Sequence, residues 1–173
     1  RHVMSALDPT TLPAQLLALS HDLGREDRRL AILGEGNTSA RLSAGTFLVK
    51  ASGSQLGTLS PLGVTECRFD GLLALLEKKK LSDTAIDEAL FAARVDPAAK
   101  KPSVEAVFHA YLLTLPGVAF VGHTHPVAVN QLLCSRHART FARRRLSSRR
   151  AKSSCQTAPD AHRRRLPGSV DGV

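Results

Sequence analysis

One short stretch constrains this 173-residue chain more than any other. Pro116-Gly117 stops whatever precedes it, and Pro126 suits the first turn of a helix. The residues between them form a connection of strand length: Val118-Ala-Phe-Val121 is apolar throughout and runs directly into Gly122-His-Thr-His125. An apolar strand held between two helices needs cover on its faces, so the chain must fold in layers.

The remaining segments agree with that demand. Leu12, Leu16, Leu19 and Leu23 recur at helical spacing around Pro13 and predict an amphipathic helix over 12–24. After Leu30-Ala-Ile-Leu33, the run from Gly34 to Leu42 and the run Thr46-Phe-Leu-Val-Lys50 are separated by Ser43-Ala-Gly45, which predicts a β-hairpin. Ala51-Ser-Gly-Ser54 breaks the second strand, and Val64 to Arg68 reads as another. Asp70 is expected to cap a leucine-rich helix ending near Lys78, with Lys78-Lys-Lys80 as its solvated end. Further helices are expected over 83–94, from Ser103 to about Leu115, and from Val127 to Leu133. The result is one α/β layered domain with no internal repeat.

Charge is informative through its location. Residues 1–133 hold 13 basic and 13 acidic side chains, whereas residues 134–173 hold 11 basic and 2 acidic, so the last 40 residues carry the whole net charge of +9. After about Leu146 the apolar period stops and Arg, Ser, Ala, Pro and Gly dominate, a composition expected to remain disordered. No aromatic residue follows Phe141, which argues against single-strand nucleic-acid binding through stacking. The domain is therefore expected to occupy 1–146, with 147–173 a basic tail, either a genuine appendage or an out-of-frame segment of a GC-rich gene. Cys67, Cys134 and Cys155 are an odd set without close pairing, as expected of a reducing cytoplasm. No apolar run approaches the roughly 20 residues of a membrane span.

The sharpest chemical feature is His123-Thr-His125. Side chains two apart on an extended chain share a side, so both imidazoles can reach one ion, although hydrogen-bonded strand histidines show the same spacing. Pro102-Ser-Val-Glu105 opens the preceding helix, where Glu105 can cap the backbone, approach a metal or serve as a general base. His109, one helical turn later, is a candidate to join the site or to pack in the core. His2, His21, His137 and His162 have no companions and are expected at the surface. Gly36-Asn37-Thr-Ser39, Ala51-Ser52-Gly53 and Ser103 can offer backbone N–H groups and small hydroxyls to an anion, or can be ordinary turns.

In this order, Gly36-Asn-Thr-Ser39, Ala51-Ser-Gly53, Pro102-Ser-Val-Glu105 and Gly122-His-Thr-His-Pro126 resemble the class II aldolase/adducin superfamily over about residues 10–146. That group includes fuculose- and rhamnulose-phosphate aldolases, an epimerase, a dehydratase and non-enzymatic adducin heads. The resemblance implies a three-layer α/β/α domain with a mostly antiparallel central sheet, incomplete at its carboxy terminus. It implies one zinc ion at His123, His125 and Glu105, with Glu105 also moving the substrate proton. Gly36, Asn37, Ser52, Gly53 and Ser103 match positions around a sugar phosphate.

The reaction implied is retro-aldol cleavage through a metal-stabilised enediolate. Epimerase, dehydratase, adducin-like module and inactive fragment remain as alternatives. A cytoplasmic homotetramer is expected as well. Val104 stands where the aldolases often have a second phosphate-binding serine, and the family's third zinc histidine is not recognisable in this chain.

Overall fold

Alternation along one strand builds both cores. In the computed structural model, which describes residues 11–144 apart from residue 79, β2 (Thr46–Lys50) turns Phe47 and Val49 to one face and Leu48 to the other. β2 lies between β1 (Asn37–Arg41) and β3 (Val64–Arg68), and β4 (Phe120–His123) pairs with the far side of β1. The sheet order is β3-β2-β1-β4, and every pairing is antiparallel.

Helices cover both faces. Leu12 and Leu16 of α1 (Leu12–Leu23) pack on Ala40 and Leu48. On the opposite face Phe47, Val49 and Cys67 meet α2 (Phe69–Leu76), α3 (Asp83–Ala93) and α4 (Ala106–Thr114). The Phe47 and Phe69 rings stack there at 4.8 Å. This is the expected α/β/α layering with an antiparallel sheet. Cys67 sits in this core as a free thiol that burial pushes up to about 12, which keeps it unreactive. Cys134 is free and exposed.

Several boundaries move for identifiable reasons. Asp70 is not the cap of α2: β3 runs straight into the helix, Arg68 takes the cap position, and Asp70 instead adds negative charge to the first turn. The cap role is filled one helix later, where the Ser82 hydroxyl accepts from the Ala85 amide at 3.1 Å. α4 starts at Ala106 rather than Ser103, because Pro102 is still extended and bridges to Ala51. β4 is displaced two residues from the apolar run, since its pairing with β1 begins at Phe120 and reaches His123.

The chain divides after Gln131 into two units. The first holds the sheet and both cores. In the second, the Ser135 hydroxyl donates to the Leu132 carbonyl at 2.7 Å and accepts from the His137 amide, turning the chain into helical residues 138–144. α5 (Val127–Leu133) follows Pro126 as the sequence suggests. The expected boundary at residue 146 and the basic tail lie outside the described residues. Among the described residues no helix is long and apolar enough to cross a membrane.

Phe47 is fully buried at the centre of the larger core, whereas Leu62 is 82% exposed. In urea unfolding, Phe47→Ala is expected to cost about 3–5 kcal/mol, and Leu62→Ala less than about 0.5 kcal/mol. Equal costs would contradict this packing.

Candidate functional site

The site forms where β4 ends. Asn37 is opposite His123 in the β1–β4 register, and Gly36 just before it approaches the His123 backbone closely. A Cβ on Gly36 would stand 2.9 Å from the His123 carbonyl oxygen, and its φ of +84° lies in the region that favours glycine. Gly36 thus lets the two strands meet at this point.

His123 and His125 turn to the same side, with ring centroids 4.6 Å apart. Glu105, at the cap position of α4, reaches both. Its Oε1 lies 3.3 Å from His123 Nδ1 and 3.7 Å from His125 Nε2. One ligating atom from each of the three residues falls within 4.8 Å of the others. Tetrahedral zinc with bonds of about 2.0–2.2 Å would separate its ligand atoms by roughly 3.3–3.6 Å. His123 Nδ1 and His125 Nε2 are buried without hydrogen-bond partners, as open ligand positions would be. Two imidazoles and a carboxylate also form a donor set suited to zinc. The residues therefore fit a zinc ion.

One further carboxylate adjoins this group, and sequence reasoning missed it. Glu35 Oε2 stands 3.4 Å from His125 Nδ1, on the ring nitrogen that does not face Glu105, where it can orient the imidazole. Phe108 sets its ring edge-on to His123 at 5.2 Å and closes one side with apolar surface.

His109 is near the cluster but outside it. Its ring centroid is 6.1 Å from that of His123, and its Nδ1 shares a 2.7 Å hydrogen bond with the Ser39 hydroxyl. Burial, reinforced by His123 and Lys50, pushes His109 down to about 4, so it is a neutral packed histidine near pH 7. His21 and His137 are exposed as expected.

A cavity of about 230 Å³ adjoins the cluster and shares Glu105 with it. Gly36, Ser52, Gly53 and Ser103 line this cavity together with Gly34, Glu35, Lys50 and Val104. Asn37 does not line it; its side-chain oxygen accepts from the Thr38 amide at 2.8 Å, and the residue is fully buried in β1. Lys50 is the other residue that sequence reasoning missed. It ends β2 as the one lysine in an apolar run, and only the fold shows that this charge is buried. Burial lowers its pKa, while Glu105 and Glu35 act in the opposite direction.

Comparison with known proteins identifies the family. The family described as Class II Aldolase and Adducin N-terminal domain matches residues 14–164, a range that runs past residue 146 into the Arg-rich segment. The chain is 31% identical to the N-terminal class II aldolase domain of a conserved protein from Thermoplasma acidophilum, with a TM-score of 0.60 over 79% of this chain and 62% of that one. YgbL of Klebsiella pneumoniae shares the fold at 20% identity and a TM-score of 0.53, over 76% of this chain and 52% of that one. An uncharacterized oxidoreductase, YuxG of Bacillus subtilis (strain 168), is 26% identical over 152 residues, which are 82% of this chain and 22% of that protein. The chain thus spans about a fifth of the length of that curated relative.

The buried His109 predicts a pH dependence of stability. Its folded value of about 4 lies below the ordinary value near 6.5, so the unfolded chain takes up the proton first. Stability present above about pH 6.5 is therefore lost as pH falls toward 4. Between pH 7 and 4, unfolding titrations should show the unsubstituted chain losing up to about 3 kcal/mol more than His109→Gln. Parallel losses would refute this assignment.

Proposed function

This chain belongs to the class II aldolase and adducin family, and from that premise we propose that it is a zinc-dependent aldolase-type lyase acting on a sugar phosphate. The observation that carries the reading is the convergence of Glu105, His123 and His125, whose ligating atoms lie within 4.8 Å of one another. A binding module without catalysis has no evident use for three such groups, two of them with buried and unpartnered nitrogens.

When bound, zinc supplies Lewis acidity toward the oxygens of a hydroxy-ketone. His123 and His125 hold it, and Glu105 either completes the ligand set or handles the proton. As a base, Glu105 accepts the hydroxyl proton of the carbinol carbon while the carbon–carbon bond breaks. The bonding pair passes to the carbon beside the ketone, and that carbon is afterwards protonated. Ser52, Gly53 and Ser103, on the cavity that shares Glu105, hold the phosphate away from the reacting bond. Asn37 contributes through the strand end rather than from the cavity wall.

The same reading includes a cytosolic homo-oligomer, a tetramer by family resemblance. Val104, Phe108, Tyr111 and Leu115 form an exposed apolar stripe at helical spacing along α4 and its flanks. Val104 also lines the cavity and Phe108 touches His123, so a second copy covering the stripe would adjoin the site.

Two experiments test the proposal. Metal analysis after zinc loading and exhaustive dialysis should find about one zinc per chain, with His123→Ala reducing the content at least about tenfold. Retro-aldol turnover of ketose phosphates should fall with it, and full turnover in a verified metal-free sample would refute the mechanism. For assembly, Tyr111→Glu is expected to shift the sedimentation of the protein toward monomer while its circular dichroism is retained. An unchanged sedimentation coefficient, or a monomer from the outset, would remove the stripe from the interface.

A further inference from the structure

A neutral imidazole carries one N–H and one lone pair, so it ligates a metal only when the lone pair faces the ion. His125 has a carboxylate at each nitrogen: Nε2 lies 3.7 Å from Glu105 Oε1, and Nδ1 lies 3.4 Å from Glu35 Oε2. The two sides are not equivalent. Nε2 is buried without a hydrogen-bond partner, and the Glu105 oxygen that it faces also stands 3.3 Å from His123 Nδ1. Glu35 has no such second histidine, and the group of three ligating residues does not include it. Among the described residues it forms no ion pair with a lysine or arginine, so its carboxylate is directed at His125 alone.

The Glu35 side chain is 58% exposed, but the backbone that carries it is held from several directions. Its amide donates to the Ile32 carbonyl at 2.9 Å and closes a turn. Leu33 within that turn has a φ of +52° and is 84% exposed, so burial of its side chain does not offset the strain of a left-handed leucine. On one side of Glu35 the Lys50 ammonium donates to the Gly34 carbonyl at 3.3 Å, and on the other Gly36 lies against the His123 carbonyl. The turn is thereby tied to the ends of both β2 and β4. A strained turn fixed in this way sets its one charged side chain beside the metal cluster.

We infer that Glu35 is a positioning residue of the metal site: it accepts the Nδ1–H of His125 and so presents the Nε2 lone pair to the ion. The inference rests on the zinc reading for the identity of that ion. A carboxylate on the far nitrogen fixes the orientation of the ring and makes the ligating nitrogen a better donor. Without it either nitrogen of His125 can carry the proton, and the ring, 28% exposed, is free to turn toward water. Glu35 and Glu105 thus divide the imidazole between them, one orienting it and the other sharing its ion. His123 presents the other type of nitrogen, since its Nδ1 is the buried and unpartnered atom beside Glu105.

The test reads zinc affinity and the imidazole itself in the full 173-residue chain. In competition titrations against a zinc chelator, Glu35→Ala is expected to weaken zinc binding about 10- to 100-fold. Glu35→Gln, whose amide oxygen still accepts from Nδ1, should recover part of that loss. Glu26→Ala removes an exposed carboxylate from the stretch before β1 and should leave the affinity unchanged. Nitrogen-15 NMR of the zinc-loaded chain should find the His125 proton on Nδ1 and the metal on Nε2, and in Glu35→Ala that proton should exchange faster with water. Metal bound through His125 Nδ1 overturns the inference, as does an equal loss of affinity in Glu26→Ala. Should Glu35→Ala not fold, the nitrogen signature of the unsubstituted chain decides alone. Zinc bound equally with and without the Glu35 carboxylate overturns this inference alone, whereas no zinc in the unsubstituted chain overturns the metal reading and the inference with it.

Discussion

The antiparallel pairing of β1 with β4 is the contact on which the site depends. It sets Asn37 opposite His123 and brings Gly36 to the His123 carbonyl, where a Cβ would intrude at 2.9 Å. The two imidazoles then leave the sheet from one fixed strand end. Glu105 arrives by another route. The Ala51–Pro102 bridge and the Ser52 amide, donating to the Lys101 carbonyl at 2.9 Å, tie the approach to α4 onto the end of β2. Two separate backbone crossings thus converge on one end of one sheet, and backbone hydrogen bonds rather than flexible loops set the separation of the ligating groups.

That convergence is obtained with polar residues in buried positions. Asn37, Thr38 and Ser39 are all fully buried in β1, an unusual composition for an inner strand. Most of the cost is offset locally. Thr38 shares a 2.6 Å hydrogen bond with Ser20 of α1, and Ser39 a 2.7 Å bond with His109 of α4. These two contacts also fix the outer layers against the sheet, one on each face. Of the unpartnered buried atoms that remain among the described residues, Asn37 Nδ2, His109 Nε2, His123 Nδ1 and His125 Nε2 belong to the site or its neighbours, and Arg41 Nε at the other end of β1 is the exception. Incomplete satisfaction concentrated in this way is what a binding centre requires and an ordinary core avoids.

The legible parts of the sequence were those carried by short-range periodicity. Helical leucine spacing located α1, alternation in Thr46–Lys50 located β2, and the two-residue step of His123-Thr-His125 put both rings on one side. Glu105 could be named as a candidate from its place before a helix, but its approach to the histidines follows from the Ala51–Pro102 bridge, a contact between residues far apart in sequence. Glu35 and Lys50 were not legible for the same reason. A lone glutamate in a glycine turn resembles solvated surface, and a lysine at a strand end resembles a frayed edge, until tertiary packing sets them beside the cluster. Asp70 shows the converse error: a good capping residue type loses that role when the preceding strand feeds the helix without a turn.

Glu105 is the residue shared between the ligating cluster and the cavity, so it sets how the two halves of the site communicate. In the proposed reading, a substrate places its oxygens near the histidines and its phosphate near Ser52, Gly53 and Ser103, and Glu105 borders both. A base in that position is held close to the substrate hydroxyl by contacts that do not themselves take part in bond cleavage. Glu35 stands beside His125 Nδ1 and lines the same cavity as Glu105, so the two halves of the site share both carboxylates.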